Sequence, residues 1–139
     1  MLSQTCEYAL RAVTYIAQKQ DEGSVLAREI ASHTGVPLKY LQKILRDLVR
    51  SGVLSSVRGI GGGFRLREPP KDLRLADVLA PFDDTLERTT CPFGKAQCDD
   101  QDPCPVHDRW VKVVEAYRSF LETTRVGDLM DRPLPERKG

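Results

Sequence analysis

The chain has 139 residues, 40% of them hydrophobic, with a formal net charge of +1. That length gives one domain, or one compact domain with an arm, and enough side chains for a core. No apolar run approaches the length that spans a bilayer, and a net charge this small does not by itself point to a partner.

Residues 4–20 read as a helix. Tyr8, Ala9, Ala12, Val13, Ile16 and Ala17 recur at three- and four-residue spacing, Ser3 or Thr5 can cap the start, and 21–24 (Asp-Glu-Gly-Ser) end it. A short helix follows at about 26–34, with Leu26, Ala27, Ile30 and Ala31 apolar, and Gly35 stands where a glycine closes a helix. Pro37 suits the first helical position of the next helix, 37–51. Leu38, Leu41, Ile44, Leu45 and Leu48 share one face of it, while Lys39, Tyr40, Gln42, Lys43, Arg46 and Arg50 occupy the rest. Two helices joined by a tight turn, the second basic on its exposed side, make a helix-turn-helix pattern. A solvated helical hairpin is the bland alternative.

The next stretch favours the first reading. After Gly52, residues 53–58 read as a strand, 59–63 (Gly-Ile-Gly-Gly-Gly) as a turn, and 64–67 as a returning strand that alternates apolar with basic. A hairpin with arginines beside its glycine tip, placed directly after a helix-turn-helix, is a wing. A glycine-rich nucleotide loop is the rival, but 59–63 leads into a strand and no Lys-Ser/Thr follows. Charge is unevenly spread. Residues 39–67 hold Lys39, Lys43, Arg46, Arg50, Arg58, Arg65 and Arg67 against the single acid Asp47, whereas the remainder is mildly acidic. This asymmetry points to a polyanion partner at one patch.

Pro69-Pro70 marks a seam. Residues 75–79 give one or two helical turns ending near Pro81, and 106–124 form a last long helix with Trp110, Val113, Val114, Tyr117, Phe120 and Leu121 in a stripe. The stripe can be plain core or, equally, a dimer contact. Residues 126–130 add a short helical turn, and the Pro- and charge-rich 131–139 read as a disordered tail. Between these helices lie Cys91, Cys98, Cys104 and His107, separated by gaps of six, five and two residues in turn-forming sequence. Thiols clustered in so polar a segment need a reason other than packing. Disulfides fit worst: three cysteines leave one over, and the opening Met-Leu-Ser-Gln-Thr runs straight into amphipathic sequence without a signal peptide, so a reducing cytoplasm is expected. Zinc would accept three thiolates and an imidazole but favours closer cysteine pairs, and wider gaps suit an iron–sulfur cluster. Redox thiols are the third option. Cys6 reads as a small buried thiol of the first helix.

In this order the motifs resemble the Rrf-two superfamily, which comprises dimeric bacterial transcription regulators with cluster-binding IscR-like and NsrR-like branches. The resemblance rests on residues 8–12 (Tyr-Ala-Leu-Arg-Ala), 36–41 (Val-Pro-Leu-Lys-Tyr-Leu), 56–64 (Ser-Val-Arg-Gly-Ile-Gly-Gly-Gly-Phe) and the three cysteines, and it covers nearly the whole chain. It implies a mainly α fold with a small β-hairpin, made of a winged helix-turn-helix over 1–70 and a cluster loop (89–107) with a dimerisation helix (106–124) over 71–130. It also implies that Cys91, Cys98 and Cys104 ligate a 2Fe-2S or 4Fe-4S cluster whose state controls DNA binding. The fourth ligand would be His107, as in IscR-like members, or Glu7 of the partner subunit, as in NsrR-like members. A six-residue first gap departs from the frequent five and leaves nuclearity open.

The expected protein is a cytoplasmic homodimer on a palindromic operator, read as a repressor. Tyr40 and Gln42 are candidates for base edges; Lys39, Lys43, Arg46 and Arg58 for phosphates; Arg65 and Gly61 belong to the wing. The rivals are a winged-helix protein with structural zinc or redox thiols, and a small iron–sulfur electron carrier, which leaves the basic helix unexplained. No nucleophile–base pair suggests an enzyme.

Overall fold

The computed structural model describes residues 2–84, 91–93 and 101–137. Helix α1 (Gln4–Lys19) starts where Ser3 accepts the Cys6 amide through its hydroxyl at 3.2 Å, giving one of the orphan amide donors of the first turn a partner. Its apolar positions form a broad face, buried from Cys6 to Ala17, and a short 3-10 turn (Gln20–Glu22) ends it. Helix α2 (Ala27–Thr34) begins one residue later than the spacing suggests, because Leu26 is extended and stands outside the helix; Ile30 is its buried anchor. Gly35, at φ 73°, turns the chain into α3 (Leu38–Arg50).

Pro37 is the residue before α3 and not its first member. Its ψ of 132° is extended, and its carbonyl accepts the amides of Tyr40 and Leu41 at 3.1 and 3.0 Å. The expectation of Pro37 inside the helix was therefore off by one position. The physical logic survives, since a missing amide costs nothing there either. Leu41, Ile44, Leu45 and Leu48 face the core at three- and four-residue spacing.

Strands β1 (Leu54–Val57) and β2 (Gly63–Leu66) pair antiparallel, from Leu54 opposite Leu66 to Val57 opposite Gly63. On its other side β2 is bridged to Val25 through Phe64, with N···O distances of 3.0 and 2.8 Å. Gly63 belongs to the strand and not to the turn as expected. Backbone from Val25 passes so close that a Cβ at Gly63 would sit 2.5 Å from the Val25 carbonyl oxygen.

Helix α4 (Leu75–Leu79) is capped by Asp77, which accepts the Arg74 amide and pairs with its guanidinium at 2.8 Å. Arg74 beside it holds the Asp77 carboxyl below the usual range. Helix α5 (His107–Thr123) returns to the same place. The Leu75 amide donates to Thr124 O at 3.0 Å and the Val126 amide to Leu73 O at 2.8 Å, so the end of α5 is stitched to the start of α4. A 3-10 turn (Val126–Met130) then packs on α1. The segment 131–137, expected as part of a disordered tail, continues along α1: Arg11 donates to Pro135 O at 2.7 Å, and Arg137 to Gly35 O at 2.6 Å and Tyr8 Oη at 3.0 Å. Side chains of α1, α2, α3, β1, α4 and α5, joined by Val126, share one core.

The close approach at Gly63 predicts a graded pair of variants. Gly23, at φ 111°, has open space where a Cβ would go. Gly23→Ala is expected to lose about 1–3 kcal/mol through backbone strain alone, its φ of 111° and ψ of −163° lying in a region essentially confined to glycine. Gly63→Ala, which adds a clash with backbone, is expected to lose about 2–4 kcal/mol in urea unfolding. Equal losses would mean that the contact with Val25 is easily relieved.

Candidate functional site

Burying one face of α3 leaves the opposite face to solvent. Lys39, Tyr40, Gln42, Lys43 and Arg46 are all exposed. Tyr40, 51% exposed, is held in a ladder of rings and cations: it stacks on Tyr8 with centroids 6.5 Å apart, and Lys39 Nζ lies 4.8 Å from its centre. On Tyr8 sits the guanidinium of Arg137, 4.7 Å from the ring centroid. Tyr8 and Arg137 therefore fix the ring that the recognition helix presents. Sequence reasoning placed Tyr8 in the core, where it does lie, but assigned it no part in the interface. Arg137 carried no local signal at all, being 129 residues away.

The wing supplies a second exposed edge. Arg58, Gly61 and Arg65 are all open to solvent, and the turn is closed by the Gly62 amide donating to Gly59 O at 2.9 Å. Every candidate DNA-contacting residue is thus surface-exposed on α3 or on the hairpin. The arrangement presents a convex helix bearing cations and hydrogen-bonding side chains, which is the shape and charge that a duplex groove accepts.

The thiol-bearing segment is described in part. Cys91 is 5% exposed and its sulfur accepts the Phe93 amide at 3.4 Å. Cys104 is half-buried, and its carbonyl accepts the amide of His107, the first residue of α5. His107 is 6% exposed. Cys98 lies outside the described residues, and among the described residues no three His, Cys, Asp or Glu side chains come together as a metal site. Donor chemistry and burial at Cys91, Cys104 and His107 suit a soft, partly desolvated metal centre.

Glu7 is differently placed. Its carboxylate lies 2.7 Å from Arg11 Nε and 3.5 Å from Arg137 Nε, so two cations of the same chain already answer its charge. Cys6 is free and fully buried on the core side of α1. Close to it, Tyr117 of α5 donates a hydrogen bond to the Asp83 carboxylate, just after α4. Burial, then that carboxylate, then the Cys6 sulfur push the Tyr117 phenol well above its ordinary range.

Comparison with known proteins agrees with this geometry. Residues 2–132 match the Rrf2 family, described as "Iron-dependent Transcriptional regulator". The HTH-type transcriptional regulator IscR of Photobacterium profundum is 33% identical over 123 residues, which cover 88% of this chain and 71% of that protein. IscR of Klebsiella pneumoniae is 31% identical over 124 residues, covering 89% and 76%. Among solved structures, T. potens IscR superposes with a TM-score of 0.76 at 22% identity, covering 97% of this chain and 93% of that one. CymR, the global cysteine regulator of B. subtilis, gives 0.78 at 22% identity, covering 94% and 95%. At such identities these two structures speak for the fold alone. The chain belongs to the Rrf2 family of winged-helix, DNA-binding transcriptional regulators and is not an enzyme.

Proposed function

We propose that the protein is a homodimer that reads a palindromic duplex with α3 and the wing. We propose further that an iron–sulfur cluster held by Cys91, Cys98, Cys104 and His107 governs its affinity for DNA. The observation that carries the reading is the position of His107: a buried imidazole at the first residue of α5, directly after the cysteine segment, on a helix whose other end is stitched to α4, which packs on α1 of the DNA-binding head. The 2Fe-2S or 4Fe-4S cluster, when bound, supplies a centre that can be lost or chemically altered by small reactive molecules.

The chain's own residues do the rest. Val113 and Phe120 of α5 are each 45% exposed although apolar, while Tyr117 and Leu121 on the same helix face the core. The expected single stripe therefore splits in two, one side for the head and one left open, where a second copy of α5 would cover it. Two-fold symmetry would then set the two α3 helices about 34–36 Å apart. A 17-residue helix is about 25 Å long, so a small shift of His107 reaches the Arg74–Arg125 stitch as a rigid displacement. There it would change the separation of the heads, a two-state device biased by the ligand.

Glu7 is the weaker fourth-ligand candidate. Arg11 and Arg137 both hold its Oε2 and already draw on its negative charge, and an oxygen donor binds this metal less well than imidazole. Structural zinc on the same thiols is the second reading, favoured only by the three-thiolate, one-imidazole composition. Metal analysis of protein purified without air separates them: iron with acid-labile sulfide is expected, and zinc alone would establish the alternative.

Two predictions test this account. Lys43→Ala and Arg46→Ala should each weaken binding to all duplexes alike and lower the slope of log K against log salt by about one, measured by fluorescence anisotropy. A slope unchanged in both removes those residues from the interface. For the cluster, His107→Ala prepared without air should change the visible absorbance and resonance Raman spectra, whereas Glu7→Ala should leave them as in wild type. The reverse pattern would place the fourth ligand on α1.

A further inference from the structure

Among residues 59–63, Ile60 carries the only side chain, since its four companions are glycines. It is 109% exposed, beyond even an extended reference chain. The turn that presents it is tightly built. Gly59 and Gly61 hold φ of 88° and 76°, the Gly62 amide bonds back to Gly59, and a Cβ on Gly62 would sit 2.4 Å from the Val57 carbonyl oxygen. Bare backbone on both sides makes Ile60 a narrow apolar point. Exposed Arg58 and Arg65 flank it.

We infer that Ile60 is a minor-groove wedge. The inference rests on the wing lying against DNA. An aliphatic side chain makes no hydrogen bonds, so it gains nothing on phosphates, and in a major groove it could touch only a thymine methyl. It can enter the minor groove, about 6 Å wide, where only a slender element fits and where flanking arginines are drawn to the negative potential. There it fills the gap between partly unstacked base pairs. Opening that gap is easiest at flexible TA and CA/TG steps, and TA is the freer of the two because no guanine amino group stands on its groove floor. Ile60 therefore confers a preference at base pairs that α3 does not touch, through deformability and not through direct reading.

The same exposure would suit a protein partner, and the experiment distinguishes the two. Full-length wild type, Ile60→Ala and Ile60→Leu are each used to select duplexes from a random-core library, and the enriched duplexes are then titrated at several salt concentrations. Wild type and Ile60→Leu should enrich a TA or CA step at a fixed distance outside the α3-read positions. Ile60→Ala should lose that enrichment and bind the step-containing duplex about tenfold more weakly, with an unchanged salt slope because no phosphate contact is lost. The thymine of the enriched step should become reactive to permanganate, which attacks unstacked thymine, with wild type and stay protected with Ile60→Ala. Equal enrichment and equal affinity for wild type and Ile60→Ala would overturn the wedge while leaving DNA binding intact. The wedge is equally overturned if Ile60→Ala lowers affinity for every duplex by the same factor. Failure of wild type to bind any duplex would instead overturn the reading of the wing as a DNA-binding element.

Discussion

Ala9, Ala12, Val13, Ile16 and Ala17 have almost no exposed surface, although they lie on a single helix near one end of the chain. A helix face is screened this completely only when neighbours approach from several directions, and here α2, α3, α4, β2 and the Val126–Met130 turn all do so. Three alanines in that face keep its profile low and let backbones come close. The orientation of the recognition helix follows from this constraint, because α3 rests on α1 and on α2, and its polar side can then face only outward. Tyr8 extends the same logic to the surface, with its ring buried against the core and its face carrying Tyr40.

A second consequence concerns how the two halves of the chain are joined. Beyond Pro69-Pro70 the polypeptide leaves the winged part and comes back to it twice, where α4 packs on α1 and again where 126–137 lies on α1. Two Asp-capped turns, Asp77 under Arg74 and Asp128 accepting the Arg125 amide at 2.8 Å, flank the α4–α5 stitch and fix its backbone. The long helix is thus clamped at its far end while its near end carries His107.

Much of this was legible in the sequence because it depends on local repetition. The apolar spacings of α1 and α3 and the glycine tip of the wing each follow from neighbours within a few residues, and each element appeared within one or two residues of its expected bounds. What periodicity could not show depends on distant partners. Val25 bridges to Phe64 and crowds Gly63, Thr124 meets Leu75, and Arg137 reaches Tyr8 and Glu7 across the length of the chain. The site divides in the same way. Basic residues of α3 were identifiable from facial placement alone, whereas the approach of Arg137 to Glu7 is a tertiary fact that no local spacing shows.

The return of residues 126–137 to α1 also shapes the route by which the protein acquires its structure. Arg11 and Pro135 are 124 residues apart, and the entropy of closing so long a loop must be met before the contact gives anything back. On a ribosome, α1 emerges long before the segment that finishes covering it. In the interval the winged part must stand with one flank of its central helix bare, at the stage when exposed apolar surface is most prone to aberrant association. High contact order of this kind slows folding relative to a bundle of the same size whose helices meet only their neighbours. Maturation of the DNA-reading head is in this sense late, completed by a distal part of its own chain.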